Sequence, residues 1–342
     1  MSLKNLSVKI KIPKLLKDKL NNKKIIEIYN KFEKSLDVNE SFAVAVSGGP
    51  DSLALAFLAK IYSIKKKLSS KFFIVDHKLR PESTNEAKVV KRLLKKTLIF
   101  SEILTWKGKK PLKNIQSKAR LKRYELLFKK CDKFKIKNIL LGHHQDDLIE
   151  NFFIRMTRGS GLKGLISLDK KTYIDNKNLF RPLLNQKKKD LIFLSKKVFN
   201  FYVQDPTNNE EKYQRIRVRK LLEELKKDGL DKEKILQTIK NLKYSNEVVN
   251  FYVKDNLYNN TFFSKNNNHL ILNKKFFQQP YEIIFRALSE SIKLIGEKYY
   301  SARGRKLDRI IKDYKKSRLF RVTLGGCLIE KVNQTVIISR ES

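Results

Sequence analysis

The chain has 342 residues, and its 76 Lys and Arg against 35 Asp and Glu give a formal net charge of +41 at pH 7. This length has room for two domains, and so large a positive excess favours a polyanionic partner, most simply a nucleic acid. No apolar run approaches the ~18 residues of a membrane span and no signal-peptide pattern opens the sequence, so we expect no membrane association.

Apolar residues at helical spacing between positions 15 and 36 predict a leading helix. From position 42 to about 185, strand-like apolar runs alternate with amphipathic helical stretches. The predicted strands are 42–46, 72–75, 99–104 and 138–141, and the predicted helices are 52–68, 82–97, 115–134 and 146–158. This alternation is typical of an α/β fold, here a Rossmann-like, doubly wound parallel sheet with helices on both faces.

The first predicted strand is followed by a loop of small residues at the start of a helix. The loop residues are Ser47, Gly48, Gly49, Pro50, Asp51 and Ser52. Glycines let the backbone approach a ligand closely, and the free N–H groups and positive dipole of a helix N-terminus attract an anion. A Walker loop would also carry a Lys that reaches the β- and γ-phosphates, and this loop has none. We therefore predict that it holds a pyrophosphate, which favours adenylation at the α-phosphate of ATP.

Polar residues also follow the second and fourth predicted strands. Asp76 and His77 follow the second strand, and the segment HHQDDLIE follows the fourth at 143–150. Ligands of parallel sheets bind outside the carboxyl ends of the strands, so these residues are predicted to share one site with the loop. The candidate catalytic residues of the segment are His143, Asp146, Asp147 and Glu150.

Three interpretations of the segment 143–150 stay open at this point. Its acids could simply favour the first turn of a helix, where the dipole attracts negative charge. Its histidines and acids could bind a metal ion. Its carboxylates could instead hold Mg²⁺ with ATP, or hold and deprotonate an amine nucleophile.

Basic residues cluster in three further stretches. Arg120 and Arg123 share one predicted helix face, and the stretch 213–220 forms a basic ridge. The stretch 158–164 matches GxGxxG, but it follows a helix and not a strand, which argues against dinucleotide binding and for a helix end with a basic loop. Candidate phosphate contacts to RNA or ATP are Arg120, Arg123, Arg158, Lys163, Arg215, Arg217 and Arg219.

The turn cluster at 205–209 is the best candidate for a domain boundary. Beyond it the pattern is mostly helical, with strand-like runs at 261–263 and 270–272, helices at about 281–294 and 303–315, and a small β piece at 319–339. We predict a helical extension at 1–37, a catalytic domain at 38–208, and a helical linker with a C-terminal domain at 209–342.

Seven segments, in this order along the chain, resemble the N-type ATP pyrophosphatases, or PP-loop proteins. They are SGGPDS (47–52), VDHKLRPES (75–83), ARLKRYELL (119–127), LGHHQDDLIEN (141–151), RMTRGSGLKGL (155–165), RPLL (181–184) and DPTNNEEKYQRIRVRKLL (205–222). The match is closest to the tRNA(Ile)-lysidine synthetase family and covers most of 42–222. Lys78 departs from the family pattern, which usually has Gly after Asp-His.

The resemblance implies a two-step ligation that uses ATP and Mg²⁺. ATP would adenylate the C2 oxygen of the wobble cytidine in tRNA(Ile) with a CAU anticodon. The ε-amine of free L-lysine would then attack C2 and displace AMP. The C-terminal domain would bind the tRNA, and the reaction would take place in the cytoplasm.

The resemblance also implies roles for individual residues. The loop 47–52, together with Asp76 and His77, would bind ATP, with Asp51 also at the Mg²⁺. Arg120 would approach the phosphates or the adenylate, and Arg215 and Arg219 the RNA or ATP. The residues that would line the site where lysine meets the adenylated base are His143, Asp146, Asp147 and Glu150.

Three rival functions differ in what they leave unexplained. A tRNA 2-thiolation enzyme of the same superfamily would use paired cysteines, whereas Cys131 and Cys327 are far apart and form no CxxC pair, as expected in a reducing compartment. A small-molecule ligase such as GMP or NAD synthetase would not need the charge of +41. A non-catalytic RNA-binding module would leave SGGPDS and HHQDDLIE without a purpose. The oligomeric state stays open, with a homodimer as one alternative.

Overall fold

A computed structural model describes residues 12–108, 115–203, 214–264, 269–297 and 304–341. The chain divides into two compact units, Met1–Ile235 and Leu236–Ser342. The turn cluster predicted as a domain boundary at 205–209 lies outside the described residues. The predicted domain limits therefore stay a prediction.

The first unit alternates strands and helices. In chain order its elements are α1 (Lys14–Leu20), α2 (Lys23–Ser35), β1 (Phe42–Val46), α3 (Pro50–Lys65), β2 (Ser70–Asp76), α4 (Ser83–Lys96), β3 (Ser101–Thr105), α5 (Ile115–Lys133), β4 (Asn138–Leu140), α6 (Gln145–Met156), α7 (Leu162–Leu165), β5 (Lys171–Ile174), β6 (Lys177–Phe180), α8 (Lys188–Phe199) and α9 (Gln214–Lys227). The long helix α10 (Lys232–Asn260) contains the point of division between the units.

The leading helix predicted between 15 and 36 is in fact two helices. The side chain of Asn22 accepts hydrogen bonds from the backbone N–H groups of Lys24 and Ile25, and so begins α2 as an N-cap. Tyr29 and Phe32 on α2 are fully buried in the core of the first unit. The apolar spacing alone does not reveal the break, because both helices bury residues of the same stripe.

The strands of the first unit form a six-stranded sheet in the order β3-β2-β1-β4-β6-β5. The pairs β1–β2, β1–β4, β2–β3 and β4–β6 are parallel, and β5 pairs antiparallel with β6 at the edge. The predicted Rossmann-like α/β fold is confirmed, with one antiparallel edge hairpin that the sequence did not predict. The strand order reverses between β1 and β4, and ligands of such sheets bind at this switch point.

Helix α3 is buried on nearly all sides. It therefore fixes the position of the turn between β1 and α3. Its residues Leu53, Leu55, Phe57 and Leu58 are fully buried, as expected for a helix that is apolar on every face. Strand β1 is likewise buried along most of its length, which is typical of a central parallel strand. The turn between β1 and α3 is therefore held between two rigid elements of the core.

The second unit contains helices and an antiparallel sheet. After α10 come β7 (Thr261–Ser264), β8 (His269–Leu272), a short 3-10 helix (Lys274–Gln278), α11 (Tyr281–Ile295), α12 (Gly304–Lys315), β9 (Arg321–Leu324), β10 (Cys327–Val332) and β11 (Thr335–Arg340). The strands pair in the order β7-β8-β11-β10-β9. The predicted small β piece at 319–339 is thus part of a five-stranded sheet, since β11 pairs with β8. In the described parts of the chain, no helix is both long and apolar enough for a membrane span.

Candidate active site

The turns after β1 and β4 meet at the switch point of the sheet. Gly142, just after β4, lies so close to α3 that a Cβ placed there would be 3.3 Å from backbone atoms of Asp51 and Ser52. A side chain there would require this backbone to shift by a few tenths of an ångström. The glycine thus lets the segment 143–150 lie beside the loop 47–52, as the sequence predicts.

The hydroxyl of Ser52 holds the loop in shape. Its Oγ accepts the backbone N–H groups of Ser47 and Gly48, both at 3.1 Å, and donates to the carbonyl of Gly49 at 3.0 Å. Gly48 has φ +88°, and its carbonyl accepts the backbone N–H of Val203 at 3.0 Å. An added Cβ at Gly48 would be 2.6 Å from Cγ2 of Val90. The loop conformation is therefore held by groups of the protein itself.

Asp51, within this loop, has a carboxylate oxygen without a hydrogen-bond partner in the described part of the chain. Burial raises the pKa of Asp51, against the attraction of His144 and Lys188. Its Oδ1 is buried and has no hydrogen-bond partner among the described residues, while Oδ2 lies 3.6 Å from Nε2 of His144. Mg²⁺ commonly binds one or two carboxylates together with substrate phosphates and water, so the donor offered here fits that ion.

The metal-site interpretation of the segment 143–150 requires several metal-binding side chains close together. Within the described ranges there is no group of three or more His, Cys, Asp or Glu side chains that could hold a metal ion.

His144 begins α6 and connects the two turns. Its Nδ1 accepts the backbone N–H of Asp146 at 3.1 Å, and its own backbone N–H donates to Oδ2 of Asp147 at 3.0 Å, which makes a capping box. Because Nδ1 accepts, the ring proton lies on Nε2, which faces Oδ2 of Asp51 at 3.6 Å and Oδ2 of Asp147 at 3.5 Å. His144 was not among the predicted catalytic residues, although it is the one that places Asp147.

The surroundings of His143 and Asp147 lower the pKa of both groups. Burial lowers the pKa of His143 to about 3, and the positive charges of Arg181, Arg120 and Arg215 add to this against the attraction of Asp147. Its ring is therefore neutral near pH 7, and its buried Nδ1 has no hydrogen-bond partner in the described part of the chain. Burial would raise the pKa of Asp147, but the two histidines and the His144 backbone N–H outweigh it and lower that pKa.

Two of the other acids on α6 are already neutralised. Glu150, buried to 4% exposure of its side chain, binds Arg219 of α9 through Oε1–Nε at 2.5 Å and Oε2–Nη2 at 3.2 Å. Asp146 pairs with Nζ of Lys232 at 3.2 Å. No Lys or Arg of the described residues forms an ion pair with Asp147. Asp147 is thus the ionised carboxylate of α6 that lacks a permanent cation.

Asp76 and His77 lie at the carboxyl end of β2, where the sequence placed them. The Asp76 carboxylate accepts hydrogen bonds from Thr84 Oγ1 at 2.7 Å, Ser83 Oγ at 2.9 Å and the backbone N–H of Lys78 at 3.0 Å. It therefore orders the turn that leads into α4. Lys78 has φ +50°, which explains why Gly is common there in the resembling family.

His77 contributes a neutral ring to the same edge. Burial lowers its pKa to about 4, with a further contribution from Arg123, against the attraction of Asp76. Arg123 Nε donates to His77 Nε2 at 3.3 Å, and the His77 ring meets the Trp106 ring edge-on at 6.5 Å between centroids. Its Nδ1 is buried with no hydrogen-bond partner that the structure describes. That atom is available to an acceptor on a ligand.

The predicted basic residues occupy different places. Arg120 is exposed on α5 and donates to the hydroxyl of Tyr124 at 3.2 Å, and Arg215 is exposed on α9. Arg158 donates to the side chain of Gln214. Lys163 on α7 and Arg217 on α9 are exposed. The site roles predicted for all these residues stay predictions.

Two cations near the site were missed by the sequence analysis. Arg181 is 5% exposed and donates hydrogen bonds to the Asp169 carbonyl and to Thr172 Oγ1, at 2.8 Å each. Its positive charge helps to lower the pKa of His143. Its position in the RPLL segment was the available signal. Lys188 lies at the start of α8, and its positive charge lowers the pKa of Asp51 against the effect of burial. It belongs to a run of three lysines, which by itself does not indicate a functional site.

Comparison with known proteins identifies the class to which this fold and site belong. A family model described as PP-loop domain matches residues 18–225. The chain is therefore a PP-loop protein, with the loop at 47–52 inside the matched region.

Relatives narrow the class to one family. The chain is 34% identical to a tRNA(Ile)-lysidine synthase of Wolbachia pipientis wMel over 89% of this chain and 71% of that one, and 34% identical to that of Orientia tsutsugamushi over 90% and 71%. It is also 31% identical to the tRNA(Ile)-lysidine synthase of Rickettsia bellii over 92% and 74%. The chain belongs to the tRNA(Ile)-lysidine synthase family.

A solved structure supports the fold independently. The U34-tRNA thiolase NcsA from Methanococcus maripaludis, with its [4Fe-4S] cluster, matches with a TM-score of 0.54 at 21% identity, over 64% of this chain and 79% of that one. At this identity the likeness concerns the fold alone.

Proposed function

We propose that this protein is an ATP-dependent ligase that attaches free lysine to C2 of the wobble cytidine in tRNA(Ile) with a CAU anticodon. The product, lysidine, changes decoding from AUG to AUA. The observation that carries the proposal is that Asp147, an ionised carboxylate without a Lys or Arg ion pair among the described residues, lies beside the loop 47–52, since Nε2 of His144 is 3.5 Å from Asp147 and 3.6 Å from Asp51. The proposal includes a cytoplasmic location, where tRNA, ATP and free lysine meet.

In the first step the C2 oxygen of the cytidine attacks the α-phosphorus of ATP, and the bond to the bridging oxygen breaks to release pyrophosphate. The backbone N–H groups at the start of α3 would hold the pyrophosphate part, while Ser52 keeps the loop 47–52 in shape. Asp51 would hold Mg²⁺, which when bound offsets the negative charge of the phosphates. His77 would bind the nucleotide at the end of β2 through its Nδ1, which has no hydrogen-bond partner among the described residues.

In the second step the ε-amine of lysine attacks C2, and AMP leaves with the former C2 oxygen. A free lysine ammonium has a pKa of about 10.4, so it must lose a proton before it can attack. Asp147 is ionised and lacks a Lys or Arg partner among the described residues, so it is the carboxylate that receives the ammonium. The neutral ring of His143 beside it adds no positive charge that would repel the amine.

The decisive assay uses purified protein, ATP, Mg²⁺, radiolabelled lysine and tRNA(Ile) with a CAU anticodon. We expect label to enter the tRNA only when both ATP and the protein are present. The same tRNA with its wobble cytidine replaced by uridine is the matched control and should stay unlabelled. Absence of lysine incorporation under all conditions would reject the proposal.

The 2-thiolation alternative is weaker on the chemistry of the cysteines. An iron–sulfur cluster is usually held by three or four thiolates, and the sequence contains two cysteines. Both are buried, and burial raises the pKa of Cys131 to about 12 and that of Cys327 to about 11. Very little thiolate is therefore present at neutral pH.

Ser52→Ala should weaken both the loop and the binding of ATP. The change leaves the N–H groups of Ser47 and of the buried Gly48 without their acceptor, so we expect a loss of about 1–3 kcal/mol in the free energy of unfolding. The dissociation constant for a non-hydrolysable ATP analogue should rise at least tenfold, as measured by calorimetry. Ser63→Ala is the control, because Ser63 is equally buried on α3 but bonds Lys60 away from the loop. Equal effects of the two variants on ATP binding would contradict the role of Ser52.

Arg215→Ala should weaken tRNA binding in a salt-dependent way. Arg215 is exposed on α9, and the removal of one phosphate contact is expected to reduce the slope of log affinity against log salt by about one. Filter binding between low and moderate salt measures this slope. Arg92→Ala, at an exposed position on α4, is the control for a general loss of charge. An unchanged slope for Arg215→Ala would move this residue to the ATP side of the site or to a structural role.

A further inference from the structure

The start of α8 brings a lysine to the phosphate loop from a distant part of the chain. The carbonyl of Gln186 accepts the backbone N–H of Gln145 at 3.2 Å, which joins the turn before α8 to the first residue of α6. Further along α8, Ser195 Oγ donates to the carbonyl of Pro50 at 2.6 Å, at the start of α3. Lys188 lies between these two contacts.

The helical spacing directs Lys188 to the same side as Ser195. The two residues are seven positions apart, which is about two turns, so they share one face of α8. That face packs on α3, and Ser195 marks where it meets the loop. The ammonium of Lys188 therefore lies on the loop side of α8, where its charge acts on the carboxylate of Asp51.

Lys188 differs from the nearby Lys187 and Asp190 in having no ion-pair partner among the described residues. Lys187 pairs with Glu233 at 2.9 Å, and Asp190 pairs with Lys24 at 3.0 Å. Lys188 forms neither a hydrogen bond nor an ion pair with any residue that the structure describes. Lys188 is half-buried, its charge acts on Asp51, and Oδ1 of Asp51 has no hydrogen-bond partner among the described residues, which indicates that a ligand completes both groups.

We propose that Lys188 binds the pyrophosphate part of ATP and holds it as it leaves. The inference rests on the proposed function, since it assigns this residue to the adenylation step. The loop 47–52 lacks the lysine that a Walker loop carries in its own sequence. Lys188 supplies that cation from α8.

The charge of Lys188 matters most when the bond between the α- and β-phosphates breaks. The bonding electrons pass to the bridging oxygen of the leaving pyrophosphate, and a fixed ammonium nearby stabilises that charge. The loss of one hydrogen bond to a charged group corresponds to a decrease in affinity of about 10- to 100-fold. The effect should fall on pyrophosphate and ATP and not on AMP, because AMP lacks the leaving part.

The test compares Lys188→Gln, Lys188→Arg and the neighbouring control Lys189→Gln in the full chain. Calorimetry with Mg²⁺ measures the binding of inorganic pyrophosphate, of an ATP analogue with a methylene bridge between the α- and β-phosphates, and of AMP. We expect Lys188→Gln to weaken the first two by about 10- to 100-fold and to leave AMP unchanged. Lys188→Arg should restore most of the affinity, and Lys189→Gln should match the wild type.

The outcomes separate this inference from the proposed function. Wild-type affinity for pyrophosphate in Lys188→Gln, or an equal loss for all three ligands, would overturn the role of Lys188. Failure of the wild type to bind pyrophosphate would overturn it as well. Selective loss of pyrophosphate binding in Lys188→Gln, in a protein that never transfers lysine to tRNA, would support Lys188 and reject the ligase.

Discussion

Asp147→Asn is expected to lower lysine attachment by about 10²- to 10⁴-fold, the range typical of a lost general acid or base. The amide cannot attract the lysine ammonium or take up its proton. It can still accept the His144 backbone N–H, which Asp147 accepts at 3.0 Å, so the cap of α6 is preserved. Single-turnover transfer of radiolabelled lysine to tRNA measures the loss, and release of pyrophosphate should fall far less.

Asp146→Asn is the matched control for this prediction. Asp146 is the preceding residue on α6 and pairs with Lys232 at 3.2 Å, so it is already neutralised. We expect a loss of less than about tenfold, as is usual when one partly exposed ion pair is removed. A loss as large as that of Asp147→Asn would show that the lysine amine meets Asp146 instead.

Asp51→Asn is expected to abolish adenylation and to stabilise the fold at the same time. Without this carboxylate the loop 47–52 loses its own anionic ligand for Mg²⁺, so release of pyrophosphate should fall by at least about 10³-fold. Stability should rise at neutral pH because burial raises the pKa of Asp51, which means that the folded protein bears a penalty for the charged form. Urea unfolding at several pH values measures that penalty.

The pH dependence of this stabilisation has a definite sign. The penalty in the wild type is fully present above the raised pKa of folded Asp51 and disappears as the pH falls below the unfolded value of 3.8. The advantage of Asp51→Asn should therefore shrink on acidification. Asp190→Asn removes a carboxylate that pairs with Lys24 at the surface, and should neither stabilise the protein nor affect adenylation. A stability gain for Asp51→Asn that is independent of pH would contradict this account.

Local patterns were enough to locate most of the first unit. The predicted strand 42–46 has the observed bounds of β1, and the predicted strand 138–141 exceeds β4 by one residue. Both are apolar runs of a central parallel sheet, where burial on two faces leaves a clear signal. The hairpin of β5 and β6 was missed because its strands are short and mix apolar with polar residues. Its turn at Asp175 and Asn176 has positive φ values, and the polar pair of residues there is the only local sign of a hairpin.

The positions of the motifs after predicted strands were likewise enough to predict that the loop 47–52 and the segment 143–150 lie at one edge of the sheet. The loop follows the first predicted strand and the segment follows the fourth, and these positions after parallel strands are a property of the chain alone. The pairing of acids with cations cannot be read from the local sequence, because Arg219 and Lys232 come from helices far along the chain. The sequence therefore listed the acids as equals, and the structure distinguishes Asp147 from them.

The sequence by itself determined the family, the α/β fold and the two motifs that carry the chemistry, because each depends on residues close together along the chain. Only the tertiary structure decided which buried polar atoms lack partners and which distant cations approach them. Burial and charge act through space, so the raised pKa of Asp51, the neutral ring of His143 and the place of Lys188 follow from how the helices pack around the switch point.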